Sequence, residues 1–244
     1  MATYVISDIH GRMGAFHRML RQIRFSAQDI LYVLGDVVDR GPHGIRLLQE
    51  LMVAPNIRML LGNHELMLLD YYRAGAGQTE ISRWNRNRNG ETKEGFRRLS
   101  QREKEDLLLF LETRPDFVEI TVGSQVYHLV HGWPGNNRHD CVWGRPESDS
   151  VSSPLPKKRI IIGHTPVPLV LHHSDAALDR YFEGLQARKG HVEILHAPGF
   201  IDIDCGCGHS APGCCLGCLR LDDMMHFYEP MEPEAECQET APKI

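Results

Sequence analysis

Between Thr3 and Leu61 the chain repeats one arrangement three times: an apolar run, a polar turn holding glycine, then apolar residues at helical spacing. Thr3 to Ser7 leads into Asp8-Ile9-His10-Gly11, followed by Phe16, Met19, Leu20 and Ile23. Ile30 to Leu34 leads into Gly35-Asp36-Val37-Val38-Asp39-Arg40-Gly41, followed by Ile45, Leu48, Leu51 and Met52. Ile57 to Leu61 leads into Gly62-Asn63-His64-Glu65, and Leu66 to Tyr72 continues as a helix. Short apolar runs bounded by turn residues read as buried strands, and the spaced stripes read as helices packed on them. Three strand–turn–helix units in succession predict an α/β fold. Ligand sites in such folds lie at the carboxyl ends of the strands, which is where each polar turn falls.

The middle turn carries the most chemistry. Asp36 and Asp39 follow the strand end in a turn bracketed by Gly35 and Gly41. Two carboxylates this close repel unless a cation sits between them. Arg40 beside them points to an anion, because a guanidinium matches phosphate geometry. A metal ion that receives a phosphate satisfies both demands, whereas a solvated turn with a surface ion pair is the plain alternative. In the first turn Asp8 and His10 are one residue apart. In an extended segment their side chains share a face, which makes a divalent-metal half-site.

Downstream, residues 73–115 predict a helical cap over the site. The stretch Trp84-Asn85-Arg86-Asn87-Arg88-Asn89-Gly90 is rich in Asn and Arg. Ser100 and Glu103 are spaced as a capping box for a helix buried through Leu107, Leu108 and Leu111. A hairpin at Gly123-Ser124 joins strands Phe117 to Thr121 and Gln125 to Val130, and the second strand ends in His131-Gly132. Arg159 to Ile162 forms a strand ending in Gly163-His164-Thr165. Leu169 to Pro198 is expected to hold a helix from Asp175 to about Arg188 and an edge strand near Val192 to Leu195. Phe200 to Asp204, Leu216 to Leu221 and Met225 to Tyr228 are expected to close a second sheet. The Pro- and Glu-rich stretch 230–244 reads as a disordered acidic tail, leaving one domain over 1–229.

A chain of 244 residues is long enough for a sizeable core. A formal charge of -5 gives no reason to expect nucleic-acid binding. No apolar run approaches bilayer length, and Thr3-Tyr4-Val5 enters a strand without a leader, so membrane association is not expected and the cytoplasm is the expected location. The seven cysteines, an odd number in a chain of this length, read as reduced thiols. Five of them crowd Cys205 to Cys218 without two clean Cys-x-x-Cys pairs, so buried structural thiols are expected over a zinc site.

The candidate ligands are therefore Asp8, His10, Asp36, Asn63, His131 and His164, all following expected strands. Asp8-Ile9-His10-Gly11, Gly35-Asp36-Val37-Val38-Asp39-Arg40-Gly41 and Gly62-Asn63-His64-Glu65, with His131 and Gly163-His164-Thr165, resemble the calcineurin-like metallophosphoesterases. More narrowly they resemble the phosphoprotein phosphatase family, in particular its bacterial and phage serine/threonine phosphatases. The likeness spans roughly residues 3 to 166. It implies an α/β sandwich of two mixed β-sheets flanked by helices, with a helical cap insertion. It also implies two divalent metal ions, one held by Asp8, His10 and Asp36 and the other by Asp36, Asn63, His131 and His164. Oxygen ligands mixed with imidazoles suit manganese, with iron or zinc as alternatives. The same likeness makes His64 the acid that protonates the leaving group and Asp39 its partner. Arg40, Arg145 and Asn63 then bind the phosphate.

The sequence departs from the family in three places. Glu91 stands where a second glycine follows Asn89-Gly90, residues 169–198 form a longer connection, and Asp204-Cys205-Gly206 replaces an Asp-Thr-Gly stretch. The expected activity is hydrolysis of phosphate monoesters, with phosphoserine or phosphothreonine in proteins as the leading substrate. A diadenosine tetraphosphatase carries very similar motifs and is the alternative. A non-catalytic phosphopeptide-binding module is disfavoured by the complete ligand set together with His64 and Asp39. A metal-dependent nuclease is disfavoured by the acidic charge balance.

Overall fold

A computed structural model describes residues 1–73 and 77–231, the side chain of Glu80 excepted. The amino-terminal units are β1 (Thr3–Ile6), α1 (Met13–Gln22), β2 (Ile30–Val33), α2 (Gly44–Val53), β3 (Ile57–Met59) and α3 (Asn63–Tyr72). The helical insertion holds α4 (Gln78–Asn85), α5 (Gly90–Arg98) and α6 (Gln101–Glu112). Then come β4 (Phe117–Val122), β5 (Gln125–Val130), α7 (Arg138–Trp143), β6 (Arg159–Ile162), α8 (Val167–Leu171) and α9 (Asp175–Ala187). The chain closes with β7 (Leu195–His196), β8 (Phe200–Asp202), β9 (Cys215–Arg220) and β10 (Met225–Pro230).

The strands form two five-stranded sheets, ordered β10-β9-β1-β2-β3 and β4-β5-β6-β8-β7. Within each sheet three strands run parallel: β1, β2 and β3 in the first, β5, β6 and β8 in the second. Antiparallel strands occupy the flanks. Alternation along β1 and β2 divides the core. Tyr4, Ile6, Leu31 and Val33 face a cluster that includes Phe16, Met19 and Leu20 of α1 and Leu47, Leu48 and Leu51 of α2. Val5 and Tyr32 point the other way and meet Tyr127, Leu129, Ile161 and Ile201 of the second sheet. The sheets are thus stacked as a sandwich with both faces of β1 and β2 covered, as buried parallel strands require. A third cluster, Val130, Ile160, Ile162, Val170 and Phe200, seals the outer face of the second sheet.

Several expected elements differ in detail. β9 and β10 close the first sheet, not the second: β9 runs antiparallel to β1 with Val5 opposite Leu219, and only β8 joins the second sheet. The helix expected from Leu66 begins at Asn63, because the Glu65 carboxylate accepts from Gly62 N at 3.1 Å and caps the first turn. The edge strand near Val192 to Leu195 shrinks to Leu195–His196, since Val192 N is taken by the Gly213 carbonyl. Helices α7 and α8 had no clear sequence signal. The capping box at Ser100 and Glu103 forms as expected. β10 runs through Pro230, one residue into the expected tail; residues 232–244, and with them Cys237, lie outside the described residues. Among the described residues no helix is long and apolar enough to cross a membrane.

Candidate active site

The carboxyl ends of the six parallel strands converge. β1, β2 and β3 deliver Asp8, His10, Asp36, Asp39, Asn63 and His64, while β5, β6 and β8 deliver His131, His164 and Asp204. Asp8 and His10 do not lie in an extended segment, as the spacing argument assumed: β1 ends at Ile6, and both residues have left-handed backbone (φ 55 and 48). Asp36, Asp39, Arg40 and His164 share that conformation, with φ of 53, 67, 65 and 66. Such values are uncommon outside glycine and collect at functional sites. Here each kinks the chain so that a side chain turns inward just past a strand.

The convergence is tight. His10 Nε2 lies 3.9 Å from Asp8 Oδ1 and 3.8 Å from Asp36 Oδ2. Its Nδ1 donates to the Val38 carbonyl at 2.9 Å, which aims Nε2 at the two carboxylates. On the other side, Asn63 Oδ1 lies 2.9 Å from His131 Nε2 and 2.8 Å from His164 Nδ1. Asp36 stands between the two halves, with Oδ1 3.3 Å from His131 Nε2. Backbone and hydroxyl donors hold the carboxylates in place: Asp36 Oδ1 accepts from His64 N, and Asp8 Oδ2 accepts from Ser7 Oγ and His164 N. Gly163 permits this packing, since a Cβ there would lie 2.0 Å from Ser7 Oγ and 2.4 Å from Asp8 Oδ2.

His64 and Asp39 form a buried pair, with His64 Nδ1 2.6 Å from Asp39 Oδ2. His64 Nε2 lies 3.7 Å from Asp36 Oδ2 and 3.4 Å from Arg40 Nη2. On distance its Nε2 could join His10 and Asp36 around one ion, while its Nδ1 is held by Asp39. Arg40 is half-buried, with Nη1 3.1 Å from His209 Nε2. Arg145 is exposed at the opposite rim and donates to Thr165 Oγ1 at 3.3 Å, one residue beyond His164.

The charges conflict without cations. Asp8, Asp36, Asp39, Glu65, Asp202 and Asp204 are all buried here. Burial and the charge on Asp204 push Asp202 far up, and burial and Asp8 do the same to Asp204. Burial, then Arg40 and His64, drive His10 well down. Burial and His131 push His164 down to about 2. His131 goes the other way, to about 9: burial lowers it, but Asp36 and Asp8 outweigh that. Among the described residues His10 Nε2, His131 Nδ1 and His164 Nε2 find no hydrogen-bond partner. Buried carboxylates in excess, mixed with imidazoles kept neutral or left without partners, fit a site built for divalent cations.

Sequence reasoning missed four supporting residues. Glu65 accepts from Asp36 N, Val37 N and Val38 N besides Gly62 N, and so ties two of the site's turns together. Trp84 Nε1 donates to Asp39 Oδ2 at 2.8 Å, and Thr92 Oγ1 accepts from Asp39 N at 2.9 Å. His209 comes from the cysteine-rich loop. Glu65 was visible within Gly-Asn-His-Glu, Trp84 within the Asn- and Arg-rich stretch and Thr92 just after Asn89-Gly90 in the family-like pattern, but none of them was given a role; His209 carried no signal. The six described cysteines are free and buried, and none belongs to a metal-capable group among the described residues.

The pattern of the calcineurin-like phosphoesterases matches residues 1–210. The chain belongs to that family. Among the described residues two groups, His10 with Asp36 and His64, and Asp36 with His131 and His164, have ligand atoms close enough together to hold a metal ion, and they share Asp36. Curated relatives include symmetrical bis(5'-nucleosyl)-tetraphosphatases. That of Delftia acidovorans is 51% identical over 71 residues, 28% of this chain and 25% of the relative. That of Yersinia pestis is 43% identical over 74 residues, 30% of this chain and 26% of the relative. The matched stretch thus spans about a quarter of the length of these relatives. Among solved structures, a Saccharomyces cerevisiae serine/threonine phosphatase superposes with TM-score 0.60 at 15% identity, covering 100% of this chain and 82% of its own. A Sphaerobacter thermophilus metallophosphoesterase gives TM-score 0.57 at 19% identity, covering 95% and 89%. A putative diadenosine tetraphosphatase gives 0.56 at 16%, covering 94% and 93%. These structural likenesses speak to the fold.

Proposed function

We propose that the protein hydrolyses dinucleoside polyphosphates of the bis(5'-nucleosyl) tetraphosphate type. The observation that carries this reading is the local identity, 43% to 51%, to relatives named as symmetrical tetraphosphatases. The phosphoprotein substrate expected from the motifs rests on weaker ground, because the serine/threonine phosphatase structure shares only 15% of its sequence with the chain. The alternative weighed from sequence is thereby the better supported one.

Asp8, His10 and Asp36 would hold one cation, and Asp36, Asn63, His131 and His164 the other; manganese, iron and zinc all suit the mixed oxygen and nitrogen donors. Bound there, the pair would supply Lewis acidity and an attacking water. The chain's own residues do the rest. Arg40 and Arg145 flank the site and bind phosphate oxygens. His64 has Nδ1 held by Asp39, so its Nε2 presents the mobile proton. Burial opposes the charged ring, but Asp36 and Asp39 outweigh it and raise its basicity. As the bond from phosphorus to the leaving oxygen breaks, that oxygen takes the Nε2 proton and departs as a nucleoside diphosphate.

The test is a side-by-side assay of diadenosine tetraphosphate and a phosphoserine peptide with added manganese. The expected result is cleavage to two molecules of adenosine diphosphate, with kcat/KM at least about tenfold above that for the peptide. Faster hydrolysis of the peptide would overturn the proposed substrate and restore the phosphoprotein reading.

A further inference from the structure

The turn that carries Asp39 and Arg40 is strained, since two consecutive non-glycine residues are left-handed there. Such a turn persists only where its surroundings hold it. Three contacts come from one segment of the helical insertion. Trp84 Nε1 donates to Asp39 Oδ2 at 2.8 Å. Asp39 N donates to Thr92 Oγ1 at 2.9 Å. Arg40 N donates to the Arg88 carbonyl at 3.0 Å.

Trp84 is wholly buried. Its ring packs against Tyr71, with centroids 5.0 Å apart, and the Lys93 ammonium lies 4.9 Å from it. The indole N–H and the His64 ring reach the same carboxylate oxygen, while Asp39 Oδ1 has no hydrogen-bond partner among the described residues. Two donors on one oxygen fix the carboxylate's rotation. With only His64 remaining, the group can turn and the imidazole is no longer held in one orientation.

We infer that Trp84 is a positioning residue: its indole N–H holds Asp39, and through it His64, so the insertion acts as a clamp on the proton donor. The inference rests on the reading of His64 given above. It assigns residues 84–92 a task separate from covering the site.

Trp84→Phe keeps the ring and removes the donor. In manganese-loaded enzyme, with whichever of the two assayed substrates is turned over faster, kcat should fall about tenfold with KM unchanged. His64→Asn should fall by about a hundredfold or more. If Trp84 acts through His64, adding Trp84→Phe to His64→Asn costs nothing further; a merely structural role would multiply the two losses. Thr92→Val, which removes the acceptor for Asp39 N, should show the same dependence and serves if Trp84→Phe fails to fold. A readout independent of turnover is the slowly exchanging His64 Nδ1 proton, followed by NMR of 15N-histidine protein without metal; Trp84→Phe should lose it to solvent exchange. Wild-type kcat in Trp84→Phe, multiplying losses, or an unchanged Nδ1 signal would each overturn the clamp. Wild-type kcat in His64→Asn would instead remove His64 from the mechanism, leaving the NMR signal to decide whether Trp84 positions the ring.

Discussion

At the scale of single residues, Glu65 shows how much of this site is scaffold. Its two oxygens take four backbone N–H groups from the turns after β2 and β3. Burial and the charge on Asp36 push its carboxyl up to about 7, and the N–H donors oppose that push. An amide at this position presents an NH₂ group to donors that need an acceptor. Glu65→Gln should therefore cost about 2 kcal/mol or more of stability; urea unfolding checks this, and an unchanged midpoint would show that the donors find other partners. The residue was legible as part of a motif, but its partners were not. Sequence spacing says nothing about which backbone groups a side chain will reach across 27 to 29 positions. The pairing of Asp8 with His10 carries the same lesson. Their presence at the site was readable, while the left-handed backbone that points them there was not, because Asp and His are enriched at positive φ only as a tendency and most of them adopt ordinary backbone.

At the scale of elements, Asp29 locks the short turn between α1 and β2, where the first strand–turn–helix unit hands over to the second. Its carboxylate accepts from Ala2 N at 2.7 Å, Ser26 Oγ at 2.7 Å and Ser26 N at 3.0 Å, so the starts of β1 and β2 are set side by side. Burial raises the carboxyl, but the Ser26 and Ala2 hydrogen bonds more than offset it, and the net shift is downward. A carboxyl lowered on folding stabilises above its unfolded value near 4 and loses that stabilisation as pH falls through the folded value. Asp29→Asn should thus be destabilised by about 1 kcal/mol at pH 7, and the gap should close in acid as pH falls through the lowered folded value. Thermal melts of both proteins across that range check it; a gap that persists in acid would place the effect in packing, not charge. Elements with strong periodicity, such as α1, α2 and α6, were readable because one face of each is buried. The short helices α7 and α8, of six and five residues, were not: they span too few turns to show a period.

At the scale of the whole molecule, the two sheets bring together charges that neither could tolerate alone. β1 to β3 contribute Asp8, Asp36 and Asn63, and β5, β6 and β8 contribute His131, His164 and Asp204. Cations that bind the folded site but not the unfolded chain add stability by mass action. At a hundredfold excess over Kd, manganese should raise Tm by roughly 5–10 °C over chelated protein. Calorimetry with and without chelator checks this, and the same Tm in both would argue against a buried dinuclear site.

The sequence by itself determined the strand–turn–helix order, the two-sheet α/β class and the identities of the candidate ligands. Those features are local: apolar runs, glycine-bracketed turns and residue chemistry are written within a few positions of one another. Tertiary structure alone decided which sheet β9 and β10 join, which face of β1 meets the second sheet, and that Trp84 and Thr92 reach Asp39. Each of these depends on contacts between distant segments, and such contacts are set by how whole faces bury one another and leave no period in the chain.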